Sequence, residues 1–249
     1  RATVISDKKI EPFLSIKKIS KLKNLKVIDI SNEFEKIQRI YKDTSSEFII
    51  KNLAMAIKAV ELCGLKEKLA YKALKKIKDV NGRLELVKKY PNNIKVYVDY
   101  AHTPDALNKA IVSLKNRYGN NISLVFGCGG ERDKKKRPLM AKIANNNCSK
   151  IYVTDDNPRK ENPKKIRNEL LKYISKNKVF EIENRALAIK KAIQNAHPHE
   201  VILVAGKGHE EEQIYKNKIL IISDKKIINK VNLKTQILNT KKQNFFQNR

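Results

Sequence analysis

The chain has 249 residues, of which 41% are hydrophobic and 32% charged, and it contains eight Gly, seven Pro and no Trp. This composition excludes collagen-like, low-complexity and wholly disordered chains, and no apolar run approaches the ~20 residues that a membrane-spanning helix needs. The chain neither begins with Met nor shows a secretory signal, and its three cysteines form no CxxC pair. We therefore expect a fragment or a processed chain, and a protein of the reducing cytoplasm.

The formal net charge of +28 comes from 54 Lys and Arg residues against 26 Asp and Glu residues. A balance this basic suggests a nucleic-acid partner. However, 44 of the basic residues are scattered Lys, and the chain is also rich in Ile and Asn. All three residue types have A/T-rich codons, so the base composition of the genome accounts for the charge. We expect no nucleic-acid partner and no membrane insertion.

Taken in chain order, the elements become regular only after the first third of the sequence. Residues 1–45 show only β-like patches at Thr3–Ser6 and Lys26–Ile30, and helical spacing then predicts helices at Phe48–Leu65 and Lys66–Ile77. A predicted strand then leads to a domain boundary near Tyr90, and a Pro-Asn-Asn turn and a buried strand follow it. The tail from Lys234 to Arg249 is polar, and we expect it to fray.

Beyond the boundary, short apolar strands alternate with amphipathic helices. This alternation predicts an α/β fold with a mainly parallel sheet covered on both faces. The predicted helices are Pro104–Arg117, Arg137–Asn145, Asn162–Ile174 and Asn184–Ala196, and the predicted strands are Ile122–Phe126, Lys150–Thr154, Val179–Ile182 and Val201–Val204, followed by a β-like patch at Ile219–Ile222 and a final helical stretch.

Polar clusters follow four of the predicted strands, and six of the eight glycines lie beside strand ends. In a parallel sheet, ligands bind beyond the carboxyl ends of the strands. The clusters place two kinds of side chain on this edge: the guanidinium groups of Arg132 and Arg159, and the acids and amide of Asp156, Asn157 and Glu210. Guanidinium groups bind carboxylates in pairs of hydrogen bonds, whereas acids and an amide oxygen accept from an ammonium group, so this set suits a small zwitterion.

Three other motifs favour structural interpretations. Gly206-Lys207-Gly208 is not a phosphate-binding P-loop, which requires GxxxxGK[ST]. Cys128 lies between glycines without an adjacent activating His, so a close-packed turn is favoured over a nucleophile. His197 and His199 flank a proline and have no second ligand cluster, so a turn is favoured over a metal site, and we predict no metal ligands in this chain.

Four segments resemble, in order and spacing, the signature segments of the Mur ligases, and in particular those of the diaminopimelate-adding type: VDYAHTPDAL, VFGCGGERDKKKRPLM, VTDDNPRKENP and VAGKGHE. The resemblance covers about residues 81–224, is looser over 47–80 and is nearly absent over 1–45. It implies a Rossmann-like C-terminal domain at residues 90–249, preceded at residues 1–89 by the end of a central P-loop-type ATPase domain. The family's P-loop, its uridine-nucleotide domain and a carbamylated lysine are expected upstream of residue 1.

The resemblance also implies an activity and its ligands. With ATP and Mg²⁺, such ligases convert the D-Glu carboxylate of UDP-MurNAc-L-Ala-D-Glu to an acyl phosphate, which the amine of meso-diaminopimelate attacks in peptidoglycan synthesis. Carried over by motif, the amino-acid pocket comprises Arg132, Asp156, Asn157, Pro158, Arg159, Gly206 and Glu210. The positions implied to contact ATP are Asn52, Arg83, Asp99 and His102. Catalytic groups and most Mg²⁺ ligands are expected upstream, and we expect a monomer.

Several alternatives remain open at this point. Asp99 and His102 could simply fix the turn between a strand and a helix. The pocket could serve a lysine-adding ligase, although lysine has no distal carboxylate for Arg159 to bind. A non-enzymatic amino-acid-binding module would need no ATP contacts, and a nucleic-acid-binding protein would use the +28 charge. Binding to a random oligonucleotide that weakens steeply with salt would favour the last class.

The sequence generates one prediction about activity. Because none of the 249 residues form a loop of the P-loop type, we expect the isolated chain to show no ligase turnover. The measurement is ADP release by the pure protein with ATP, UDP-MurNAc-L-Ala-D-Glu and meso-diaminopimelate. Release that depends on both acceptor and amine would contradict the prediction.

Overall fold

The structure, a computed structural model, describes residues 2–41, 47–77 and 80–233. The chain divides into two compact units, Arg1–Lys78 and Asp79–Arg249. The division falls before the expected boundary near Tyr90, because strand β3 (Glu85–Lys89) pairs antiparallel with β4 (Lys95–Asp99) and so belongs to the second unit. The assignment of residues 1–89 to a central ATPase domain stays a prediction, and the tail from Lys234 lies outside the described residues.

Over residues 2–41 and 47–77, the first unit contains two strands and four helices. β1 (Thr3–Ser6) and β2 (Lys26–Asp29) coincide with the two predicted β-like patches, and they pair in parallel. Isoleucines of α2 and α3 form a buried core with Ala54. Helices α1 and α2 were not predicted, because residues 1–45 were interpreted as Lys-rich polar segments around two β-like patches, although α1 carries five apolar residues in ten. The helices are α1 (Phe13–Leu22), α2 (Ser31–Ile40), α3 (Glu47–Leu62) and α4 (Glu67–Leu74).

The second unit is built on a six-stranded sheet with the order β3-β4-β8-β5-β6-β7. All pairs except β3–β4 are parallel, which confirms the predicted mainly parallel α/β fold. The remaining strands of the sheet are β5 (Ile122–Phe126), β6 (Lys150–Val153), β7 (Val179–Glu181) and β8 (Val201–Ala205), and the helices are α5 (Pro104–Tyr118), α6 (Lys136–Asn147), α7 (Pro163–Leu171), α8 (Arg185–Gln194) and α9 (Asp224–Lys230).

Each face of the sheet has its own apolar core, because side chains alternate along each strand. Leu124 of β5 packs in the core that contains the buried faces of α5, α6 and α7, whereas the adjacent Val125 packs in the core formed with α8 and α9. The chain therefore leaves β4 and β5 toward one face, and it leaves β8, which lies between them, toward the other. This divergence of neighbouring loops is where crevices form in open α/β sheets.

A separate hairpin follows β8. Strand β9 (Glu212–Tyr215) pairs antiparallel with β10 (Lys218–Ile221). β10 corresponds to the predicted patch at Ile219–Ile222, whereas β9 was not predicted, because its sequence EQIY carries little apolar alternation. Within the described residues, no helix is both long enough and apolar enough to span a membrane.

Strand β8 and helices α8 and α9 are joined by a fully buried ion pair. Arg185 Nε and Nη2 donate to the two carboxylate oxygens of Asp224, at 2.8 and 2.7 Å, and Nη2 also donates to the Ala205 carbonyl oxygen at 3.0 Å. Both side chains are 0% exposed. The pair therefore fixes the point at which β8 ends.

We predict that Asp224→Ala lowers the free energy of unfolding by about 3–5 kcal/mol, because it leaves a buried guanidinium unpaired. Chemical denaturation of the full chain measures this change. The double variant Arg185→Met, Asp224→Leu is the control, since it removes both charges and should lose less stability than the single variant. Equal losses in the two would contradict the ion-pair explanation.

Candidate functional site

A cavity of about 260 Å³ opens at the carboxyl edge of the sheet in the second unit. We name its loops by the strand that each follows: the β4 loop (100–103), the β5 loop (127–135), the β6 loop (154–162) and the β8 loop (206–211). Six of the seven residues predicted for the amino-acid pocket line the cavity, and the exception is Pro158. Those six are Arg132, Asp156, Asn157, Arg159, Gly206 and Glu210.

The β5 and β6 loops lie with their backbones in direct contact. The Gly130 amide donates to the Asn157 carbonyl oxygen at 2.9 Å. A Cβ atom added to Gly130 would lie 2.0 Å from the Pro158 carbonyl oxygen, and one added to Gly127 would lie 2.2 Å from that of Thr154. These glycines are therefore required by contact between two loops. Pro158 takes part in this contact between the loops and does not itself line the cavity.

Arg159 is held by backbone groups of both loops. Its Nη1 donates to the Gly130 carbonyl oxygen at 3.0 Å and to the Asn157 carbonyl oxygen at 3.2 Å. Its own amide donates to the Ile214 carbonyl oxygen of β9 at 2.9 Å. Both of these side-chain hydrogen bonds use Nη1, and Arg159 also lines the cavity. Arg132 is exposed, and its Nη1 donates to the Glu131 carbonyl oxygen at 3.3 Å.

The acidic side of the pocket comes from the β6 and β8 loops. The buried Asp156 accepts the Asn157 amide on Oδ1 at 2.6 Å. Gly206 has φ +111°, and a Cβ added there would lie 2.6 Å from Asp156 Oδ2, so a side chain at this position would displace the carboxylate. Asn157 Nδ2 donates to Glu210 Oε2 at 3.1 Å. Asp156 and Glu210 are thus fixed on the acidic side of the cavity.

Strand β9, which the sequence did not predict, supports the β6 loop from behind. Gln213 is 1% exposed, and its Nε2 donates to the carbonyl oxygens of Asp155 and Asp156 at 3.1 and 2.7 Å. Tyr215 donates its hydroxyl to Asp155 Oδ2 at 2.9 Å. The sequence signal for this contact is the amide side chain of Gln213, which directly follows three glutamates.

Three of the four residues predicted to contact ATP lie at one end of the second unit's sheet. The Arg83 guanidinium lies 4.3 Å from the centre of the Tyr100 ring, in cation–π contact. His102 packs edge-on against the same ring, with centroids 4.7 Å apart, and its Nδ1 hydrogen-bonds to the Tyr100 carbonyl oxygen. Asn52 lies exposed on α3 in the first unit, and its contact with ATP stays a prediction.

Asp99 is buried at the end of β4, and both of its carboxylate oxygens accept backbone amides. Leu84 N donates to Oδ2 at 2.6 Å and Ala101 N donates to Oδ1 at 2.7 Å. Burial raises the pKa of Asp99, while these two hydrogen bonds act in the opposite direction. These bonds agree with the alternative that Asp99 fixes the turn, and they also tie the segment carrying Arg83 to β4.

Tyr100 was quoted only within a motif, yet it lines the cavity between these two groups of residues. Burial raises the pKa of its hydroxyl, and so do the charge of Glu210 and hydrogen bonding to it. Tyr100 therefore contacts Arg83 through its ring and shares the cavity lining with Glu210.

The structural interpretations of the histidines and Cys128 agree with the geometry. The segment 197–200 forms a turn in which the Glu200 amide donates to the His197 carbonyl oxygen. Cys128 is 3% exposed, and its thiol donates to Met140 Sδ at 3.8 Å. Burial raises the pKa of this thiol to about 12, so it stays protonated at neutral pH and is unsuited to nucleophilic attack.

Together, the fold and the pocket define an α/β domain whose small cavity is lined by both guanidinium groups and carboxylates, a combination that suits an amino acid. Residues 82–208 match the family described as Mur ligase, glutamate ligase domain. The chain belongs to the Mur ligase family.

Relatives and solved structures agree with this membership. The UDP-N-acetylmuramoyl-L-alanyl-D-glutamate–2,6-diaminopimelate ligase of Rickettsia typhi is 43% identical over 185 residues, covering 74% of this chain and 37% of the relative. The ligase of the same name from Wigglesworthia glossinidia brevipalpis is 42% identical over 192 residues, covering 76% and 38%. The chain thus spans less than two fifths of the length of these relatives.

Among solved structures, a UDP-N-acetylmuramoyl-L-alanyl-D-glutamate–2,6-diaminopimelate ligase superposes with a TM-score of 0.56 and 25% identity, over 92% of this chain and 52% of that one. A folylpolyglutamate synthase of Mycobacterium tuberculosis gives a TM-score of 0.62 at 15% identity, over 82% of this chain and 52% of that one. The second match shows the shared fold alone.

The burial of the cysteines gives a prediction for thiol chemistry. Burial raises the pKa of Cys128 and of Cys148 to about 12, whereas Cys63 is exposed. At about pH 8 the thiols of Cys128 and Cys148 remain protonated and buried. Cys63 should therefore react rapidly with a disulfide reagent, and the other two cysteines should react only after unfolding. Peptide mass spectrometry identifies the modified residue, and rapid labelling of Cys128 in the folded protein would restore it as a candidate nucleophile.

Proposed function

We propose that this chain carries the amino-acid-binding part of an ATP-dependent ligase that adds meso-diaminopimelate to UDP-MurNAc-L-Ala-D-Glu in peptidoglycan synthesis. The observation that carries the proposal is that Arg159, whose guanidinium is held by two backbone carbonyl oxygens, lines the same cavity as Asp156 and Glu210. Two relatives more than 40% identical are named for this reaction, which supports the proposal. The family match supports the ligase class.

In the proposed binding mode, different pocket residues bind the carboxylate and the ammonium group of the amino acid. A carboxylate of meso-diaminopimelate would bind Arg159, with Arg132 at the exposed rim, and the neighbouring ammonium would bind Asp156 and Glu210. Asn157, which the sequence analysis expected to accept from the ammonium, instead holds Glu210 through its Nδ2, because its Oδ1 already accepts from Lys207 and the Ile214 amide. The other end of the molecule, which carries the reacting amine, would then extend from the cavity. Fixed groups at one end thus orient the amine at the other without touching it.

The residues around Tyr100 fit a nucleotide phosphate group. Arg83 and His102 are exposed at the cavity edge, and Lys136, which donates to the His102 carbonyl oxygen at 2.8 Å, also lines it. When bound, ATP supplies the phosphoryl group that activates the acceptor carboxylate. Arg83 would bind phosphate oxygens, and Asp99 would hold the segment that carries Arg83.

Among the described residues, no group of three possible Mg²⁺ ligands lies at the cavity. Within residues 2–41, 47–77 and 80–233, the one grouping of three acidic ligands is Glu33, Glu61 and Glu67 in the first unit. Lys58 and Lys36 already pair with Glu33 there. This donor set suits internal ion pairs better than a metal.

The choice between diaminopimelate and lysine gives the test. We predict that the full chain binds meso-diaminopimelate more tightly than L-lysine in calorimetric titrations, because only the former has a distal carboxylate for Arg159. Arg159→Ala should weaken meso-diaminopimelate binding by about 2–5 kcal/mol, the scale for leaving a buried charge unpaired. The same variant should change L-lysine binding far less.

Arg39→Ala is the matched control. Arg39 is exposed on α2 in the first unit, so its replacement removes the same charge from a chain of net charge +28 without altering the pocket. Its affinity for meso-diaminopimelate should equal that of the wild type. A wild-type preference for L-lysine, or an equal loss for both amino acids in Arg159→Ala, would overturn the assignment.

A further inference from the structure

Lys207 is a fully buried lysine directly behind the pocket. Its side chain is 0% exposed, between two glycines of the β8 loop. A buried ammonium must be compensated by nearby oxygen atoms. Lys207 Nζ donates to Asn157 Oδ1 at 3.4 Å, to Glu210 Oε2 at 3.3 Å and to the Glu212 carbonyl oxygen.

These contacts fix the orientation of the Asn157 amide. Asn157 Oδ1 accepts from Lys207 and from the Ile214 amide, the latter at 2.9 Å, so two donors hold the oxygen end. The amino end then points at Glu210 Oε2, at 3.1 Å. With the amide rotated by half a turn, its NH₂ group would face the Lys207 ammonium and the Ile214 amide, which are themselves donors.

The same contacts orient the Glu210 carboxylate. Asn157 Nδ2 and Lys207 Nζ both donate to Oε2, so this oxygen is fixed and the other is not used by these two donors. Glu210 also lines the cavity, together with Tyr100 and Asp156. Glu210 is thus held between a buried cation behind the pocket and the space where an amino group would bind.

We propose that Lys207 is a positioning residue: its buried ammonium orients Asn157 and, directly and through Asn157, holds Glu210 for recognition of the amino acid's ammonium group. The proposal rests on the proposed function of the pocket. Lys207 acts only through the two side chains that it holds, since its burial keeps it from touching the ligand.

Two effects of removing the Lys207 charge have opposite signs. Coulomb's law alone predicts tighter binding of an ammonium once a neighbouring cation is gone. Loss of positioning predicts weaker binding, because the Asn157 amide can rotate and Glu210 loses its anchor. The sign of the change in affinity therefore separates a positioning role from a purely electrostatic one.

The test is Lys207→Met, which keeps most of the side-chain length and removes the charge. In calorimetric titrations of the full chain, we expect meso-diaminopimelate to bind at least about tenfold more weakly, the scale of couplings within one hydrogen-bond network. Lys190→Met, which removes an exposed charge on α8, is the control and should leave the affinity unchanged. Unchanged or tighter binding in Lys207→Met would overturn the proposal.

A double-mutant cycle with Glu210→Gln distinguishes positioning from general damage to the fold. If Lys207 acts through Glu210, adding Lys207→Met to Glu210→Gln should cost much less affinity than it costs in the wild type. Fully additive losses, with a lowered melting temperature, would show a structural role only.

Nuclear magnetic resonance of the wild type keeps the inference testable if Lys207→Met fails to fold. The Nζ signal of Lys207 and the side-chain amide signals of Asn157 should both be protected from solvent exchange, and both should shift when meso-diaminopimelate binds. Rapid exchange of these signals, or shifts absent despite binding, would overturn the proposal. If the wild type binds no meso-diaminopimelate, the proposed function fails, while the exchange measurement still decides whether Lys207 holds Asn157.

Discussion

The site depends on the direct backbone contact between the β5 and β6 loops. This contact places the Gly130 carbonyl oxygen next to Arg159 and the Asn157 carbonyl oxygen next to the Gly130 amide. A side chain at Gly130 would overlap the Pro158 carbonyl oxygen, so the loops can meet only with glycine there. The parallel sheet brings the loops to one edge, and the glycines let them touch, which fixes the charged groups without help from a ligand.

Buried arginines form hydrogen bonds and ion pairs with the ends of these loops, close to the strands that they follow. Arg137 reaches the Gly129 carbonyl oxygen and Glu161, and so joins the β5 and β6 loops. Arg167 pairs with Asp155, where the β6 loop begins, and Arg185 donates to Ala205, where β8 ends. In a chain with 44 Lys and ten Arg, arginine at these positions follows from geometry, since a planar guanidinium can join several oxygens at once whereas a lysine offers a single charged nitrogen.

Sequence reasoning predicted the sheet well because buried parallel strands are short apolar runs. β5 was predicted at its observed bounds, and α5 differed by one residue at its end. The pocket residues of the β5, β6 and β8 loops could be grouped because carboxyl ends of parallel strands share one edge. Strand β9 could not be predicted, because it lacks the apolar alternation of a half-buried strand. Its residues instead form hydrogen bonds with the β6 loop.

Lys207 could not be predicted for a related reason. In a sequence with so many solvated lysines, nothing local marks one as buried, and its partners Asn157 and Glu212 come from the β6 loop and the start of β9. Composition also does not show which charged residues form the pocket and which are merely solvated. The overall excess of +28 lies mostly in scattered lysines, whereas the pocket places two carboxylates against a few fixed cations. Recognition of a zwitterion therefore depends on where the charges are held, and the net charge of the chain says little about it.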